Sequence, residues 1–285
     1  MLTTLTKSLV RSFVPRDVRN WARSPADSAK WVWDEIKFAS GVKKFVQLRP
    51  GWSLTCHPAA YRCAYHLQIN DPEQVAEFDG FINSSAQGMV LFDIGAHFGL
   101  FSLAALHYGG QRAKAIAVDP SPVAVRFLKV HAELNGVAER LQVVQASVNE
   151  QAGWRNMVAV GVLASGFYVA PSKNHSAREV IRTRATSLDE LAEEFNVVPT
   201  HIKIDVEGDE EAVLRGGKQL LSQVQAPALF IELHNQLVCE RGSRPADTLL
   251  TLRAYGYQTF TVDSCAIDDA TILSKPLIRV IAKKP

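Results

Sequence analysis

The feature that most constrains the fold of this chain is the segment of residues 90–99, which reads VLFDIGAHFG. Its first five residues are apolar except for one acid, and such a run predicts a strand buried on both faces, as in a parallel sheet. Gly95 and Gly99 follow, and glycine allows both the positive φ of a sharp turn and the close approach of a ligand. Open α/β sheets bind nucleotide-like cofactors where such a turn leads into a helix. The segment therefore predicts a cofactor-binding α/β domain.

Apolar strands and amphipathic helices alternate from residue 89 onward, which is typical of parallel βαβ units. The predicted strands span residues 89–94, 113–118, 141–146, 201–204 and 228–232. The predicted helices span residues 98–108, 122–135, 187–195, 209–222 and 245–255. Two β-like stretches, residues 157–163 and 180–185, flank a polar loop at 171–177 and interrupt the alternation. They predict an extra hairpin or loop over the sheet.

Two more strand patterns, residues 257–262 and 277–282, close the chain with no helix between them. Strands joined without a crossover helix pair antiparallel. The sequence thus predicts a mainly parallel seven-stranded sheet with an antiparallel C-terminal strand. Upstream, only a helical stretch near residues 71–82 is clear. We therefore divide the chain into an N-terminal cap, residues 1–84, and a cofactor-binding domain, residues 85–285.

Charge is distributed unevenly along the chain. The net charge of +2 over 285 residues gives no reason to expect nucleic acid as a partner. Residues 1–50 hold ten Lys or Arg against four acids, so they carry +6 and the remainder carries −4. Within them, residues 1–30 have a basic amphipathic pattern. This pattern is compatible with peripheral contact to an anionic membrane, and also with a helix packed on its own domain or a frayed terminus.

The sequence also indicates a cellular compartment. Its four cysteines lack the paired C-x-x-C spacing of structural zinc sites, which favours free thiols in a reducing compartment. No apolar run approaches the roughly 18 residues that span a bilayer. We expect a cytoplasmic protein, with membrane-peripheral placement as the alternative.

The residues around the glycine turn distinguish between two classes of cofactor. Asp119 ends the second predicted strand, 24 residues beyond Gly95, where an acid can accept both hydroxyls of a ribose. A dinucleotide turn has the spacing G-x-G-x-x-G around a pyrophosphate. Here the spacing is G-x-x-x-G, and Asp93 before it would repel a pyrophosphate. An acid at this place favours S-adenosylmethionine, which has a cationic amino-acid end; an NAD-dependent oxidoreductase is the alternative.

Four sequence blocks resemble the FkbM-type methyltransferase family: FDIGAHFG at residues 92–99, DPSP at 119–122, NG at 135–136 and KIDVEG at 203–208. The resemblance covers residues 85–235 and implies the class I, Rossmann-like methyltransferase fold. It also implies transfer of a methyl group from S-adenosylmethionine to a hydroxyl of a sugar, glycolipid, polyketide or other secondary metabolite. The expected partner is therefore a small-molecule or glycan acceptor.

Eight residues form the predicted cofactor site: Asp93, Gly95, His97, Gly99, Asp119, Ala146, Ser147 and Asp205. By the resemblance, Asp119 holds the ribose, and Ala146 and Ser147 lie near the adenine. Family members commonly carry Asn where His97 stands and Glu where Asp119 stands. Asp keeps the carboxylate. The His97 side chain has three open roles: contact with the methionine end of the cofactor, action on substrate, or a hydrogen bond within the turn.

Acidic and imidazole side chains follow two of the predicted strands and could supply catalysis. Methylation of a hydroxyl needs a group that removes the proton while the methyl group is displaced in line. Asp205, Glu207 and His234 are the predicted catalytic residues. Alternatively, Asp205, Glu232 and Asn235 hold a hard divalent cation that acidifies the hydroxyl. Alternatively, Glu207 has no catalytic role and stabilises the N-terminus of the helix that follows.

A non-catalytic module that keeps the cofactor fold and recruits a partner through its basic N-terminal segment is a third hypothesis. Such a module would tolerate the loss of Asp205, Glu207 and His234. An enzyme would not, because each of these side chains would then act on the reacting atoms or on a bound cation. Substitution of these residues therefore distinguishes the two hypotheses.

Overall fold

The computed structural model describes residues 25–61, 71–159, 167–169 and 180–285. The predicted polar loop at 171–177 and residues 1–24 of the predicted amphipathic segment lie outside these ranges. Over the described ranges, no helix is both long enough and apolar enough to cross a membrane.

The described residues form thirteen strands and eleven helices. The strands are β1 (Lys44–Arg49), β2 (Trp52–Cys56), β3 (Val90–Ile94), β4 (Lys114–Val118), β5 (Leu141–Val144), β6 (Ser147–Val148), β7 (Gly153–Ala159), β8 (Phe167–Val169), β9 (Val180–Thr186), β10 (His201–Ile204), β11 (Ala228–Leu233), β12 (Gln258–Phe260) and β13 (Ile278–Lys283). The helices are α1 (Pro25–Ala39), α2 (Pro58–Ala60), α3 (Pro72–Ser84), α4 (Leu100–Tyr108), α5 (Pro122–Leu134), α6 (Leu188–Glu194), α7 (Glu210–Arg215), α8 (Lys218–Leu221), α9 (Asn235–Glu240), α10 (Pro245–Ala254) and α11 (Asp269–Ile272).

Seven strands form the central sheet in the order β12-β13-β11-β10-β3-β4-β5. All pairs are parallel except those of β13, which runs antiparallel to β11 and to β12. From β3 the chain builds outward through β4 and β5, then returns to the other side of β3 with β10. The order of the strands therefore reverses between β3 and β10. This is the sheet of the class I methyltransferase fold, so the predicted architecture is confirmed.

The strands of this sheet are buried on both faces, as the continuous apolar pattern predicted. Leu91 and Phe92 are neighbours on β3 but belong to two different hydrophobic clusters, because side chains alternate along a strand. One cluster contains side chains of α4, α5 and the N-terminal elements. The other contains side chains of α6, α7, α8 and α10.

The predicted helix over residues 209–222 is in fact two helices, α7 and α8, which are separated at Gly216 and Gly217. A Cβ on Gly216 would lie 2.2 Å from the carbonyl oxygen of Asn149, and a Cβ on Gly217 would lie 2.8 Å from the side chain of Leu188. The break therefore allows the chain to pass close to β6 and α6, where no larger residue fits.

The predicted extra hairpin is confirmed as a second sheet, in the order β6-β9-β7-β8. Strands β7 and β9 pair antiparallel from Gly153 with Ala185 to Val158 with Val180. Its first strand begins at Gly153, four residues before the predicted start, and residues 160–163 of the prediction lie outside the described ranges. Met157 on β7 is buried, so the hairpin contributes to the core.

The N-terminal elements pack directly on the central domain. Trp52 on β2 stacks on Phe78 of α3 and on His107 of α4, with ring centroids 5.9 and 5.4 Å apart. The Thr55 backbone donates to Oδ1 of Asn135 and accepts from its Nδ2. Helix α1 and the β1–β2 hairpin were not predicted. They share one hydrophobic cluster with α4 and α5, and the division at residue 84 stays a prediction.

Two basic and two acidic side chains form a buried cluster that joins α3 to the sheet. Nζ of Lys203 lies 2.8 Å from Glu77 Oε1 and 3.1 Å from Glu232 Oε1. Arg279 on β13 completes the cluster, 3.2 Å from each of the two carboxylates. Burial would raise the pKa of Glu232, but the charges of Lys203 and Arg279 lower it to about 2. The cluster is neutral as a whole, and each charge depends on its partners.

We expect Lys203→Met to lower the free energy of unfolding by about 3–5 kcal/mol, because Glu77 and Glu232 would lose a shared buried cation. Urea unfolding followed by circular dichroism measures the loss. Lys218→Met, at an exposed position of α8, is the control and should change stability by less than about 0.5 kcal/mol. A Lys203→Met protein as stable as the wild type would contradict the importance of the cluster.

Candidate active site

A cavity lies at the carboxyl ends of β3, β4, β5 and β10. Its floor is formed by residues at the ends of these strands: Ile94, Gly95, Val118, Asp119, Ala146, Ser147, Asp205 and Glu207. Strand order reverses between β3 and β10, and open α/β sheets bind their ligands at such a reversal. The position of the cavity is therefore that of a cofactor site.

Six of the eight predicted cofactor residues line this cavity: Gly95, His97, Asp119, Ala146, Ser147 and Asp205. The other two do not. Asp93 lines an adjoining smaller cavity, which is also lined by Lys203 and Glu232. Gly99 lines neither of these two cavities. Met157 from the extra hairpin lines the larger cavity and was not predicted there.

Gly95 takes the predicted positive φ, at 79°. Its N–H donates to the Val118 carbonyl of β4 at 2.9 Å, which fixes the turn against the neighbouring strand. A Cβ on Gly95 would lie only 1.8 Å from the carbonyl oxygen of Asp205. Glycine is therefore required at this position because the turn packs against the backbone of Asp205, which follows β10.

Asp93 and Gly99 shape the turn from within the protein. Asp93 is buried, and its Oδ2 accepts from the backbone N–H and the hydroxyl of Ser102 at 3.0 and 2.6 Å. Gly99 has φ of 86° and precedes the first residue of α4, which explains why this helix begins later than predicted. Both residues thus support the turn, and the cofactor contact predicted for them stays a prediction.

Asp119 joins the glycine turn to the start of α5. Its Oδ2 accepts from the His97 N–H at 2.9 Å, and its Oδ1 accepts from the Ser121 N–H at 2.8 Å. Burial raises the pKa of this carboxyl to about 6. Each carboxylate oxygen has a further lone pair, so these bonds leave capacity for ribose hydroxyls.

His97 has φ of 49°, in the left-handed region that few residues other than glycine adopt. Its backbone N–H donates to Asp119. Its ring contacts the Phe98 ring, with centroids 3.8 Å apart. Burial lowers the pKa of the imidazole to about 4, with a smaller effect from His131. The ring is therefore neutral at pH 7. His97 lines both cavities, and the three predicted roles of its side chain stay predictions.

The three predicted catalytic residues are brought together beside the cavity. Nε2 of His234 lies 3.8 Å from Asp205 Oδ1 and 3.6 Å from Glu207 Oε2. On its other side, Nδ1 lies 2.9 Å from Oε1 of Glu210, a fully buried carboxylate. Sequence reasoning missed Glu210, because an acid in the first turn of a helix has an ordinary local role and its partner lies 24 residues away.

Charges in this cluster shift two pKa values upward. Burial alone would lower the pKa of His234, but the hydrogen bond to Glu210 and the charges of Asp205, Glu210 and Glu207 raise it to about 9. The imidazole is thus cationic at pH 7. Burial and the nearby charge of Glu232 raise the pKa of Asp205 well above the usual carboxyl range, against the effects of Lys203 and His234.

Two arginines hold the loop that carries Glu207 in place, and both of them bind Asp209. Glu207 has φ of 55°, which is unusual for this residue type. Arg241 donates to its carbonyl oxygen at 2.6 Å and to Oδ1 of Asp209 at 2.9 Å. Arg155 of β7 donates to the other oxygen of Asp209 at 3.0 Å. These contacts, which the sequence did not indicate, fix the loop that carries Glu207.

The predicted cation set of Asp205, Glu232 and Asn235 is not brought together. Both oxygens of Glu232 are bound by Lys203 and Arg279. The Asn235 amide donates to the carbonyls of Ile272 and Lys275 in the C-terminal segment. Over the described ranges, the group that could hold a metal is instead Asp205, Glu207 and His234, with one ligand atom of each within 4.8 Å of the others.

The family model described as "Methyltransferase FkbM domain" matches residues 93–259, more than half of the chain. The chain belongs to the FkbM methyltransferase family. The predicted resemblance is thereby confirmed, and the matched range contains the glycine turn, Asp119 and the whole Asp205–His234 cluster.

Two curated relatives show the extent of the similarity. The 31-O-demethyl-FK506 methyltransferase FkbM of Streptomyces tacrolimicus is 30% identical over 130 residues, which cover 45% of this chain and 48% of that protein. A ribosomal protein L11 methyltransferase of Actinobacillus pleuropneumoniae is 27% identical over 184 residues, covering 59% and 57%. The chain thus spans about half the length of the curated relatives it matches.

Among solved structures, a SAM-dependent O-methyltransferase from Thermotoga maritima superposes with a TM-score of 0.44 and 11% identity, covering 81% of this chain and 73% of that chain. Precorrin-6y C5,15-methyltransferase from Geobacter metallireducens gives a TM-score of 0.43 and 14% identity, covering 75% and 90%.

We expect Gly95→Ala to disrupt the site far more than Gly136→Ala. Both glycines have positive φ, so alanine costs about 1–3 kcal/mol of strain at either position. Only at Gly95 does the new methyl group meet another atom within 4 Å, the carbonyl oxygen of Asp205. Gly95→Ala should therefore also weaken S-adenosylhomocysteine binding by about tenfold or more, or about 1.4 kcal/mol. Calorimetry and urea unfolding of both variants measure the difference, and equal effects at the two positions would contradict this account.

Proposed function

We propose that this chain is an S-adenosylmethionine-dependent O-methyltransferase whose acceptor is a hydroxyl of a sugar, glycolipid or secondary metabolite. The observation that carries the proposal is the cluster of Asp205, Glu207 and His234 at the edge of the strand-end cavity. Membership of the FkbM family supports it. The family match also favours this cofactor over NAD, and the enzyme hypothesis over that of a non-catalytic module.

The cavity suits the cofactor in shape and charge. Asp119 accepts hydrogen bonds from the two ribose hydroxyls, and Ala146 and Ser147 border the adenine. Asp205 and Glu207 supply negative charge on the side where the ammonium and the sulfonium of the cofactor carry positive charge. When bound, S-adenosylmethionine supplies the methyl group, which the acceptor oxygen takes in an in-line displacement at the sulfonium.

Asp205 is the proposed general base. A neutral alcohol is a weak nucleophile, so its proton must leave as the bond from oxygen to carbon forms. The raised pKa of Asp205 makes it a better proton acceptor than an ordinary carboxylate. The cationic His234 lies between Asp205 and Glu207 and holds the two carboxylates in place. The reaction yields a methyl ether and S-adenosylhomocysteine, with the proton on Asp205.

Direct base catalysis is favoured over assistance by a divalent cation. A cation at Asp205, Glu207 and His234 would need a deprotonated Nε2 on the imidazole. Glu210 and its neighbours favour the protonated ring instead. The proposal therefore expects methyl transfer to continue in excess EDTA, whereas loss of activity that Mg²⁺ or Mn²⁺ restores would favour the cation.

Two measurements test the function. Calorimetry should show binding of S-adenosylhomocysteine and none of NAD. Transfer of labelled methyl from S-adenosylmethionine should then be measured with polyhydroxyl acceptors and, separately, with ribosomal protein, because some curated relatives are named for it. Methyl ethers identified by mass spectrometry support the proposal. Methylation of protein amines alone would refute the O-methyl assignment, and binding of NAD alone would refute the cofactor.

Asp205→Asn tests the base. We expect kcat for methyl transfer to fall by about 100-fold or more, because general base catalysis contributes about 10²–10⁴. Affinity for S-adenosylhomocysteine, measured by calorimetry, should fall by less than kcat does, because asparagine keeps the shape of the residue and Glu207 still supplies negative charge toward the ammonium. Asp263→Asn is the matched control, because Asp263 is an exposed acid that lines neither cavity of the candidate site. Activity of Asp205→Asn close to that of the wild type would exclude Asp205 as the base.

The pH dependence of kcat/KM should be bell-shaped. The rate rises as Asp205 loses its proton, at a pH above the usual carboxyl range because its pKa is raised. It falls near pH 9 as His234 loses its proton. Glu210→Gln removes a negative charge beside His234, lowers its pKa, and should move the falling limb to lower pH. Glu211→Gln, on the next residue, is the control. A falling limb that stays near pH 9 in Glu210→Gln would argue against a role for the imidazolium.

A further inference from the structure

Exposed apolar side chains are concentrated near the start of the described chain. Trp33, Ile36, Val42 and Phe45 have 58%, 46%, 42% and 72% of their surface exposed. The other large apolar side chains that are exposed in the described ranges stand singly, between residues 154 and 273. Single exposed apolar residues are normal, whereas a group of them marks an interaction surface.

Helix α1 presents two of these side chains on one outward face. Trp33, Ile36 and Lys37 follow the spacing that places residues side by side on a helix, and Nζ of Lys37 lies 5.5 Å from the centroid of the Trp33 ring. The opposite face contains the buried residues Trp31 and Asp34. The helix is therefore anchored on the domain, and its outward face is an outer surface of the described structure.

The end of α1 brings the other two apolar side chains into the same region. Gly41, with φ of 91°, donates to the Phe38 carbonyl, and Val42 donates to the Lys37 carbonyl, both at 2.9 Å. These two bonds form a Schellman motif, which folds Val42 back beside the last turn of the helix. Phe45 follows on β1 and points away from the buried Val46.

Positive charge surrounds the apolar side chains. Lys30 and Lys43 are exposed. Both acids of this segment are paired: the buried Asp34 lies 3.6 Å from Nζ of Lys37, and Glu35 forms an ion pair of 2.6 Å with Arg126. The outward charge of the segment is therefore basic.

We propose that this surface binds the anionic headgroup region of a lipid bilayer. It consists of Trp33, Ile36, Val42, Phe45, Lys30, Lys37 and Lys43, and we call it the N-terminal basic-aromatic surface. Tryptophan and phenylalanine insert at the boundary of headgroups and acyl chains, while lysines gain about 1 kcal/mol each near anionic lipid. The preceding residues 1–24 also carry five basic residues against one acid, so the charge of the surface continues along the sequence.

Charge distinguishes a lipid surface from a second copy of the chain. A two-fold symmetric dimer through this surface would place one basic patch against another, and like charges oppose association. Anionic lipid supplies the complementary charge and an apolar layer at once. The surface contains no residue of the candidate active site, so this inference stands independently of the proposed function.

Vesicle flotation with the full chain tests the proposal. We expect binding to phosphatidylcholine vesicles that contain phosphatidylglycerol, little binding to phosphatidylcholine alone, and weaker binding as NaCl is raised. Lys30→Gln and Lys43→Gln should each weaken partition by about fivefold, which corresponds to about 1 kcal/mol per lysine. Trp33→Ser with Phe45→Ser should weaken it by about tenfold or more. Trp154→Ser with Leu250→Ser, at exposed apolar sites elsewhere, is the matched control and should bind as the wild type does.

Three outcomes would overturn the proposal. The first is a wild-type chain that does not float with anionic vesicles or that binds neutral vesicles equally well. The second is undiminished binding by Trp33→Ser with Phe45→Ser, which would place membrane contact elsewhere. The third is a dimer in analytical ultracentrifugation that this double variant dissociates, together with no vesicle binding. Unchanged calorimetric binding of S-adenosylhomocysteine by the variants shows that they are folded, so none of these results bears on the proposed function.

Discussion

The contact between Gly95 and the backbone of Asp205 is the constraint on which the candidate site depends. The absence of a side chain at Gly95 allows the ends of β3 and β10 to stay in contact beyond the last paired residues, and the Asp205 N–H continues the ladder to the Ile94 carbonyl. The same contact gives the cofactor turn its shape and places Asp205 where it lines both cavities. Cofactor binding and the position of the proposed base are therefore two results of one steric condition.

Two charge clusters of different character lie next to each other. The inner cluster of Lys203, Glu77, Glu232 and Arg279 is buried and balanced. The outer cluster has one imidazolium among three carboxylates, so it retains negative charge. Lys203 lies on β10 and Asp205 directly follows that strand. The charge of Lys203 is shared with Glu77 and Glu232, so it offsets the negative charge of the outer cluster only in part. The remaining negative charge favours a cationic ligand.

The sequence was sufficient for the parts of the fold that depend on local pattern. Strand and helix alternation, the antiparallel C-terminal strand and the acids after β10 are readable along the chain, whereas the short helix α11, which lies between β12 and β13 where no helix was predicted, is not. Long-range contacts were not readable: Glu210 pairs with His234, and Glu77 pairs with Lys203 across 126 residues. Nothing in the neighbours of Asn235 shows that its amide turns toward Lys275. Helix α1 and the β1–β2 hairpin are short, and their burial depends on partners such as Phe78 and Asn135.

The ion pair between Glu77 and Lys203 also bears on what counts as the folding unit. The family match begins at residue 93, after α3. A recombinant fragment that begins at residue 93 would lack Glu77, one of the two carboxylates of the buried four-charge cluster. It would also expose Phe101 and Phe230, which pack on Phe81 of α3. The family match therefore leaves out a helix, α3, that supplies a buried charge and aromatic packing to the central domain.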